Sequence, residues 1–264
     1  MKKKSILIIG LLFLTLLVGC SSNGAKDSTE INYVDKEFLS SFKKGLEKRW
    51  DLPEVDLTMD TQGQKEEYLK AIDTELNEIK DYSGEKFEDT KLQEKALSYI
   101  NILKEQKEAF DYFTVDEIKF YETWDKIAAE RSKILVDIVD SYKIEFSGKY
   151  ENILDDFKLN AQMAIEDDTK NKEIEDIVNK VEFTKVKEEY GSSYYEAVVE
   201  NTSSVEFENF AFEISLIDEE GIIVESTYSN SVNNWKPGQK FKFEFMTQTA
   251  FAKMEFEPQY FIKE

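Results

Sequence analysis

The sequence predicts a two-part α+β protein, with an antiparallel helical bundle over residues 35–180 and an antiparallel β-sandwich over residues 181–264. In the first part, apolar residues recur at steps of three and four, which is the period of an amphipathic helix. Near Val181 the period changes to two, and aromatic and β-branched residues take over, as in half-buried strands. This change of period marks the predicted domain boundary.

Several long amphipathic helices are expected in the first part. Their apolar stripes begin, in chain order, at Phe38, Tyr68, Leu92, Ile118 and Ile153. Capping-box patterns, in which a Thr is followed three residues later by Gln or Glu, predict helix starts at Thr61 and Thr114. The connections between the stripes are short, so successive helices should run antiparallel.

Short strands are expected in the second part. Apolar residues occupy every second position from Phe210 to Leu216 and from Phe241 to Phe245. Further strands are predicted over residues 181–186, 194–200, 222–228 and 252–262, with turn-forming Gly, Pro, Asn and Ser between them. Six or seven short antiparallel strands indicate a β-sandwich.

The N-terminus reads as an export signal. Three lysines, the apolar run Ile6–Val18, and Gly19 follow one another, which predicts a signal peptide over residues 1–19. The apolar run is shorter than the roughly 20 residues of a membrane-spanning helix. Residues 20–34 are mostly small, polar or charged, so a flexible tether is expected there.

The residues Leu17-Val18-Gly19-Cys20 resemble the lipobox of bacterial lipoproteins. This resemblance implies that the chain is cut before Cys20 and that a thioether lipid is attached to that cysteine. The expected location is therefore the outer face of the cell membrane, with the membrane itself as a partner through the lipid. An ordinary thiol after a conventional signal peptide is the alternative.

Composition excludes several classes of partner and of enzyme. The chain carries 34 basic and 55 acidic side chains, a net charge of −21, so no nucleic-acid partner is predicted. It has no histidine, which removes Ser-His-Asp and Cys-His hydrolases and His-ligated metal enzymes. Its one cysteine cannot form an internal disulfide. Carboxylate, Ser-Lys and Tyr chemistries remain open, and no cofactor is predicted.

No metal site is predicted either. Asp56, Asp60 and Gly63, like the run Glu166–Asp168, offer the oxygen ligands that Ca²⁺ prefers, but neither set forms a full twelve-residue calcium loop. A helix cap and an interhelical turn are their expected roles. Glu122, with Asp125 three residues on, is a carboxylate pair of the kind that glycosidases use, although a solvated helix face is the favoured interpretation.

Three segments of the second part resemble the FxLYD family of extracellular sandwich domains. They are Val199–Ser203, Ile214–Gly221 and Pro237-Gly238, and the resemblance covers residues 181–264. Ile214 stands where the family name has Phe, and Ile217 stands where it has Tyr. The resemblance implies an Ig-like module on a bacterial surface protein, and it brings no catalytic residues.

One set of candidate contact residues lies in the second part. Asn230, Asn233, Asn234 and Trp235 fall in one predicted loop of the sandwich, with Tyr228 nearby at the end of a predicted strand, and loops often carry binding residues. Aromatic rings combined with amides suit a sugar ligand such as a wall polymer. The alternative is that Trp235 fills the end of the sandwich while the asparagines stabilise turns.

A second candidate contact is the pair Arg49 and Trp50, since both residue types are common at interface hot spots. The alternative places Trp50 in the core. The run from Phe42 to Trp50 also resembles the opening of Gram-positive lipoproteins of unknown role.

The expected function is that of a non-enzymatic, lipid-anchored surface protein that binds an envelope protein or wall polymer. An enzyme that acts on wall glycan or peptide by carboxylate chemistry is the alternative. The ligand-binding component of a transporter ranks last, because such proteins usually have two α/β lobes, whereas the strands here are confined to one end of the chain.

Overall fold

A computed structural model describes residues 32–263, and it has the predicted two-part α+β order. The predicted signal peptide, Cys20 and residues 20–31 of the predicted tether lie outside the described residues. The helices are α1 Asp35–Trp50, α2 Thr61–Ile79, α3 Thr90–Ala109, α4 Glu117–Ser141 and α5 Glu151–Val178. The strands are β1 Thr184–Glu189, β2 Ser192–Glu200, β3 Phe207–Ile217, β4 Ile223–Tyr228, β5 Val232–Trp235, β6 Lys240–Thr247 and β7 Lys253–Ile262.

Aspartates cap three of the helices. The side chains of Asp60, Asp89 and Asp116 each accept hydrogen bonds from backbone N–H groups in the first turns of α2, α3 and α4. The predicted capping boxes at Thr61 and Thr114 were therefore wrong. A carboxylate satisfies the same free N–H groups as a hydroxyl, and its negative charge also interacts favourably with the helix dipole.

The helices enclose one continuous apolar core to which α1, α2, α3 and α4 all contribute. The start of α1 lies beside the start of α3, because the Asp35 carboxylate accepts hydrogen bonds from the N–H groups of Glu88 and Asp89 at 2.8 and 2.9 Å. Tyr142, just after α4, donates to Asp89 at 2.7 Å, so α4 ends where α3 begins. These contacts give the antiparallel packing that the short connections predicted.

The last helix links the two parts. It runs without interruption over the segment where the sequence predicted an interhelical turn at Glu166–Asp168. Its final turns bury Ile174 and Ile177 in the core of the sandwich. The Glu173 carboxylate also accepts hydrogen bonds from the N–H and the hydroxyl of Ser204, both at 2.7 Å. The sandwich core thus begins before residue 181.

Two antiparallel sheets form the sandwich. One has the order β1-β2-β6. In the other, β3 is central: β7 pairs along one edge of it, and β4 and β5 pair with different halves of β3, so they share its other edge. The predicted alternation from Phe210 to Leu216 is confirmed, and these side chains point between the sheets. The segment Val232–Trp235 is a strand, β5, and not the predicted loop.

Candidate functional site

The predicted contact residues of the sandwich do not form one surface. Trp235 is 1% exposed and packs on Phe207 and Phe210, with ring centroids 5.7 and 5.0 Å away. Its indole N–H donates to the carbonyl of Gln239 at 2.9 Å. The ring is therefore part of the sandwich core.

The backbone explains why Trp235 turns inward. Asn234 has a left-handed conformation (φ 52°), which breaks the strand alternation, and Asn tolerates that region better than most residues. Asn233 therefore stays exposed and accepts a hydrogen bond from Asn209 at 2.9 Å. Tyr228 is exposed at the end of β4. Tyr228, Asn233 and Asn234 are exposed and can contact a ligand, whereas the buried Trp235 cannot.

The other predicted pair also faces the protein interior. The Arg49 guanidinium donates to Glu75 Oε2 at 2.8 Å, and the Arg49 side chain is only 16% exposed. Trp50 packs on Phe146 and Tyr150, with centroids 5.0 and 5.4 Å away. Both residues join α1 to its neighbours, and neither presents an open surface.

Arg49 belongs to a buried polar group that we call the Glu75 cluster: Arg49, Glu75, Tyr99 and Arg131. Arg131 donates to the same Oε2 of Glu75 at 2.7 Å, and the Tyr99 hydroxyl donates to Oε1. The Arg131 guanidinium also lies 4.9 Å from the ring centre of Phe157 on α5. All five helices therefore meet at this cluster, which contains both arginines of the chain.

Electrostatics keep the Glu75 cluster charged. Burial would raise the pKa of Glu75, but the guanidinium groups of Arg131 and Arg49 hold the pKa of this carboxyl below its usual range. Burial raises the pKa of Tyr99 well above its ordinary value, so Tyr99 remains a neutral donor. The side chains of Glu75 and Arg131 are 1% and 5% exposed, which closes the cluster to any substrate. Its role is to position helices.

An accessible pocket lies at the end of the bundle where the α1–α2 loop and the start of α2 meet the α3–α4 loop and the start of α4. We call it the end pocket; its volume is about 220 Å³. It is lined by Leu57, Gln64, Tyr68, Phe110, Phe113, Phe120, Tyr121 and Trp124. Six of these eight side chains are aromatic, so the pocket favours an apolar or flat group.

A more polar depression of about 480 Å³ adjoins the end pocket and shares four lining residues with it: Gln64, Phe113, Phe120 and Tyr121. Around both lie large apolar side chains that face solvent: Leu57 is 71% exposed, Val115 76% and Ile118 74%. They come from the α1–α2 loop, the α3–α4 loop and the first turn of α4. This end of the bundle therefore carries exposed apolar side chains beside an aromatic pocket, and we call the two together the exposed apolar patch.

A concave surface larger than the end pocket lies between α3, the start of the α3–α4 loop and α4. We call it the α3–α4 groove; its volume is about 940 Å³. It is lined by Ile102, Glu105, Glu108, Ala109, Asp111, Tyr112, Glu122, Thr123, Lys126, Ile127 and Glu130. Glu122, half of the carboxylate pair noted in the sequence, therefore faces this groove, whereas Asp125 does not line it.

Acidic residues elsewhere have local roles. Among residues 32–263, no group of three Cys, Asp or Glu side chains is placed to hold a metal ion. Asp60 caps α2, and Asp56 accepts hydrogen bonds from the N–H and hydroxyl of Thr58 at 2.9 and 2.7 Å. Over the same range, no helix combines the length and apolar character needed to cross a bilayer.

No family model, curated protein or solved structure matches this chain. The resemblances to bacterial lipoproteins and to the FxLYD family therefore stay predictions. The sequence did not identify the end pocket or the α3–α4 groove, because both depend on which helix faces remain uncovered.

Proposed function

We propose that this protein is a non-enzymatic, lipid-anchored interaction module of the bacterial cell envelope, held at the outer face of the membrane through Cys20. The exposed apolar patch around the end pocket carries the proposal. Apolar side chains that face water without a partner are unfavourable, and contiguous patches of this kind mark interaction surfaces. The occupant that fits is a protein partner that inserts one bulky side chain.

The pocket has the properties of an anchor site. A volume of about 220 Å³ is close to that of one large apolar side chain. Burying such a side chain in an aromatic pocket contributes about 1.5–3 kcal/mol from area alone. Anchors of this type dominate the binding energy of many interfaces, while the surrounding apolar residues exclude water.

The position of the patch suits a protein that is tethered by its N-terminus. The N–H of Val34 donates to the carbonyl of Lys86 at 3.0 Å, so the described chain begins beside the first turn of α3. The end pocket lies at the other end of that helix, which has 20 residues and is therefore about 30 Å long. The end pocket is therefore at the end of α3 opposite the point where the described chain begins.

Site-specific cross-linking on intact cells tests the proposal. A photoreactive amino acid at Val115 should capture one defined envelope protein. The matched control is Val198 on the sandwich, which is 69% exposed and distant in sequence. Capture of the same protein from both positions, or of wall glycan alone, would contradict a protein partner at the end pocket.

Two variants separate the anchor from the binding surface. Cys20→Ala should release the protein into the medium without altering its fold. Tyr121→Ala, which removes an exposed ring from the pocket, should leave the protein on the membrane and abolish the Val115 cross-link. Retention of Cys20→Ala on the membrane would refute the lipid anchor.

A further inference from the structure

We infer that the α3–α4 groove binds a basic amphipathic helix of a partner protein. The inference rests on the proposed interaction function, but it concerns a different surface from the end pocket. Its basis is the combination of an apolar floor with acidic walls, on which four carboxylates form no ion pair within the described residues.

The floor is apolar and shallow enough for close approach. Ile102, Ala109 and Ile127 lie at its base, each less than 9% exposed. A small residue such as Ala109 lets a helix backbone come near. From Ile102 to Ala109 the groove follows about 10 Å of α3, and it continues past the end of the helix to Asp111 and Tyr112.

The walls are strongly negative. Glu105, Glu108 and Asp111 line the α3 side, and Glu122 lines the α4 side. Within residues 32–263, these four carboxylates form no ion pair at 4.0 Å or less. Lys126 is the one basic residue that lines the groove. Unpaired carboxylates above an apolar floor complement a helix with apolar residues on one face and lysines or arginines beside them.

One end of the groove is fixed by ion pairs. Lys133 binds Glu130 of the α4 wall and Asp168 of α5, both at 2.6 Å. Glu130 is therefore already neutralised and connected to the helix that enters the sandwich. The free negative charge lies toward the other end, near Asp111 and Glu122, where the basic residues of the partner should be concentrated.

The negative charge of the α3–α4 groove also makes other occupants unfavourable. A second copy of this chain would bring the same acidic groove, and a membrane surface rich in anionic lipid would be repelled. A metal ion is not favoured, since no three ligands among the described residues converge. A basic segment gains from both the apolar floor and the acidic walls.

The probe is a fluorescein-labelled Leu/Lys peptide of about 14 residues, designed as an amphipathic helix of roughly four turns. A scrambled peptide of the same composition and a Leu/Glu helix are its controls. Fluorescence anisotropy should show saturable binding of the Leu/Lys helix to the whole protein, weakening as salt is raised. Equal binding of the scrambled or acidic peptide would overturn the inference.

Two double variants give a matched comparison at the same net charge. Glu105→Lys with Glu108→Lys reverses one wall, and both side chains are exposed, so the fold should be retained. Glu219→Lys with Glu220→Lys makes the same charge change in the β3–β4 turn. The wall variant should weaken binding about tenfold or more, and the turn variant by less than about twofold.

Equal weakening by both variants would reduce the effect to general attraction by an acidic protein and overturn the site. Tyr121→Ala should bind the peptide normally, because Tyr121 belongs to the end pocket. Loss of the cellular cross-link in Tyr121→Ala with intact peptide binding would therefore separate the two surfaces. If the peptide does not bind the groove, the Val115 cross-link still tests the end pocket independently.

Discussion

The two parts of the molecule build their interiors in opposite ways. The bundle places a charged group, the Glu75 cluster, at the centre of an apolar core. The sandwich has an interior of packed aromatic rings, and its buried polar residues are neutral and lie in loops, such as Asn201 and Ser203, or at strand ends, such as Ser192 and Thr247. The contrast follows from where each fold leaves its backbone groups unpaired.

Helices satisfy their own backbone hydrogen bonds, so buried polar side chains in the bundle are free to bind one another. Loops leave backbone N–H and C=O groups without partners in the same segment, and the sandwich uses buried side chains to bind those groups. The Asn201 amide donates to the carbonyls of Val205 and Trp235 at 2.9 and 3.0 Å, and its oxygen accepts from Ser203. In the bundle polar groups position helices, whereas in the sandwich they fix turns.

The largest effect should come from removing the negative charge of the bundle centre. Glu75→Leu leaves Arg49 and Arg131 buried without a counter-charge, which should reduce the free energy of unfolding by about 5 kcal/mol. Urea denaturation measures this loss in the free energy of unfolding. The matched control is Glu78→Leu, one turn on, which removes only surface pairs with Lys44 and Lys48 and should cost about 1 kcal/mol or less.

Urea denaturation of a further variant tests whether the bundle needs charge at its centre. If the charges stabilise the bundle only through their mutual pairing, replacing the cluster as a whole by apolar residues should be less harmful than Glu75→Leu alone. The triple variant Arg49→Met, Glu75→Leu, Arg131→Met tests this. A triple variant less stable than the single one would show that the apolar replacements cannot fill the space.

A core truncation in the sandwich should have a somewhat smaller effect. Phe212 is fully buried, with its ring 4.9 Å from that of Phe243. Phe212→Ala should cost about 3–4 kcal/mol by transfer and cavity formation. Phe261→Ala, an exposed ring on β7, is the control and should change stability by about 0.5 kcal/mol or less. Similar losses in both would contradict the aromatic core.

How far the sequence predicted these features depends on the range of the interactions. The alternation in β3 identified a strand because local period alone decides which face is buried. The four-residue strand β5 was missed, since the left-handed Asn234 breaks its alternation. Glu75 gave a usable signal: it lies on the stripe formed by Ile72 and Ile79, where an acid needs a buried partner.

The caps and surfaces were harder to predict. For α2 the sequence offered two caps, the Thr61 capping box and the Asp56–Asp60–Gly63 set, and only the backbone geometry shows that Asp60 is the one that caps the helix. The α3–α4 groove could not be predicted at all, because its existence depends on how five helices pack. Sequence period fixes which residues are buried in a helix, but not which neighbour covers them.

Alkaline pH should destabilise the bundle before it affects the sandwich core. Burial and the hydrogen bond to Asp89 raise the pKa of Tyr142 to about 12. The stability that this tyrosine provides is complete below its unfolded pKa of about 10 and is lost as pH rises toward 12. Because the side chain is partly exposed to solvent, we expect a contribution to stability of about 1 kcal/mol. In Tyr142→Phe, urea midpoints between pH 9 and 11.5 should lose that component.

The smallest effect should appear where the two parts meet. Glu173→Gln weakens the bonds from α5 to the N–H and hydroxyl of Ser204, both exposed, so global stability should change by less than about 1 kcal/mol. Hydrogen exchange at the Ser204 N–H should nevertheless accelerate. Since Ile174 and Ile177 remain in the sandwich core, exchange at β3 should stay unchanged. Faster exchange throughout β3 would mean that this one carboxylate, and not the apolar end of α5, joins the bundle to the sandwich.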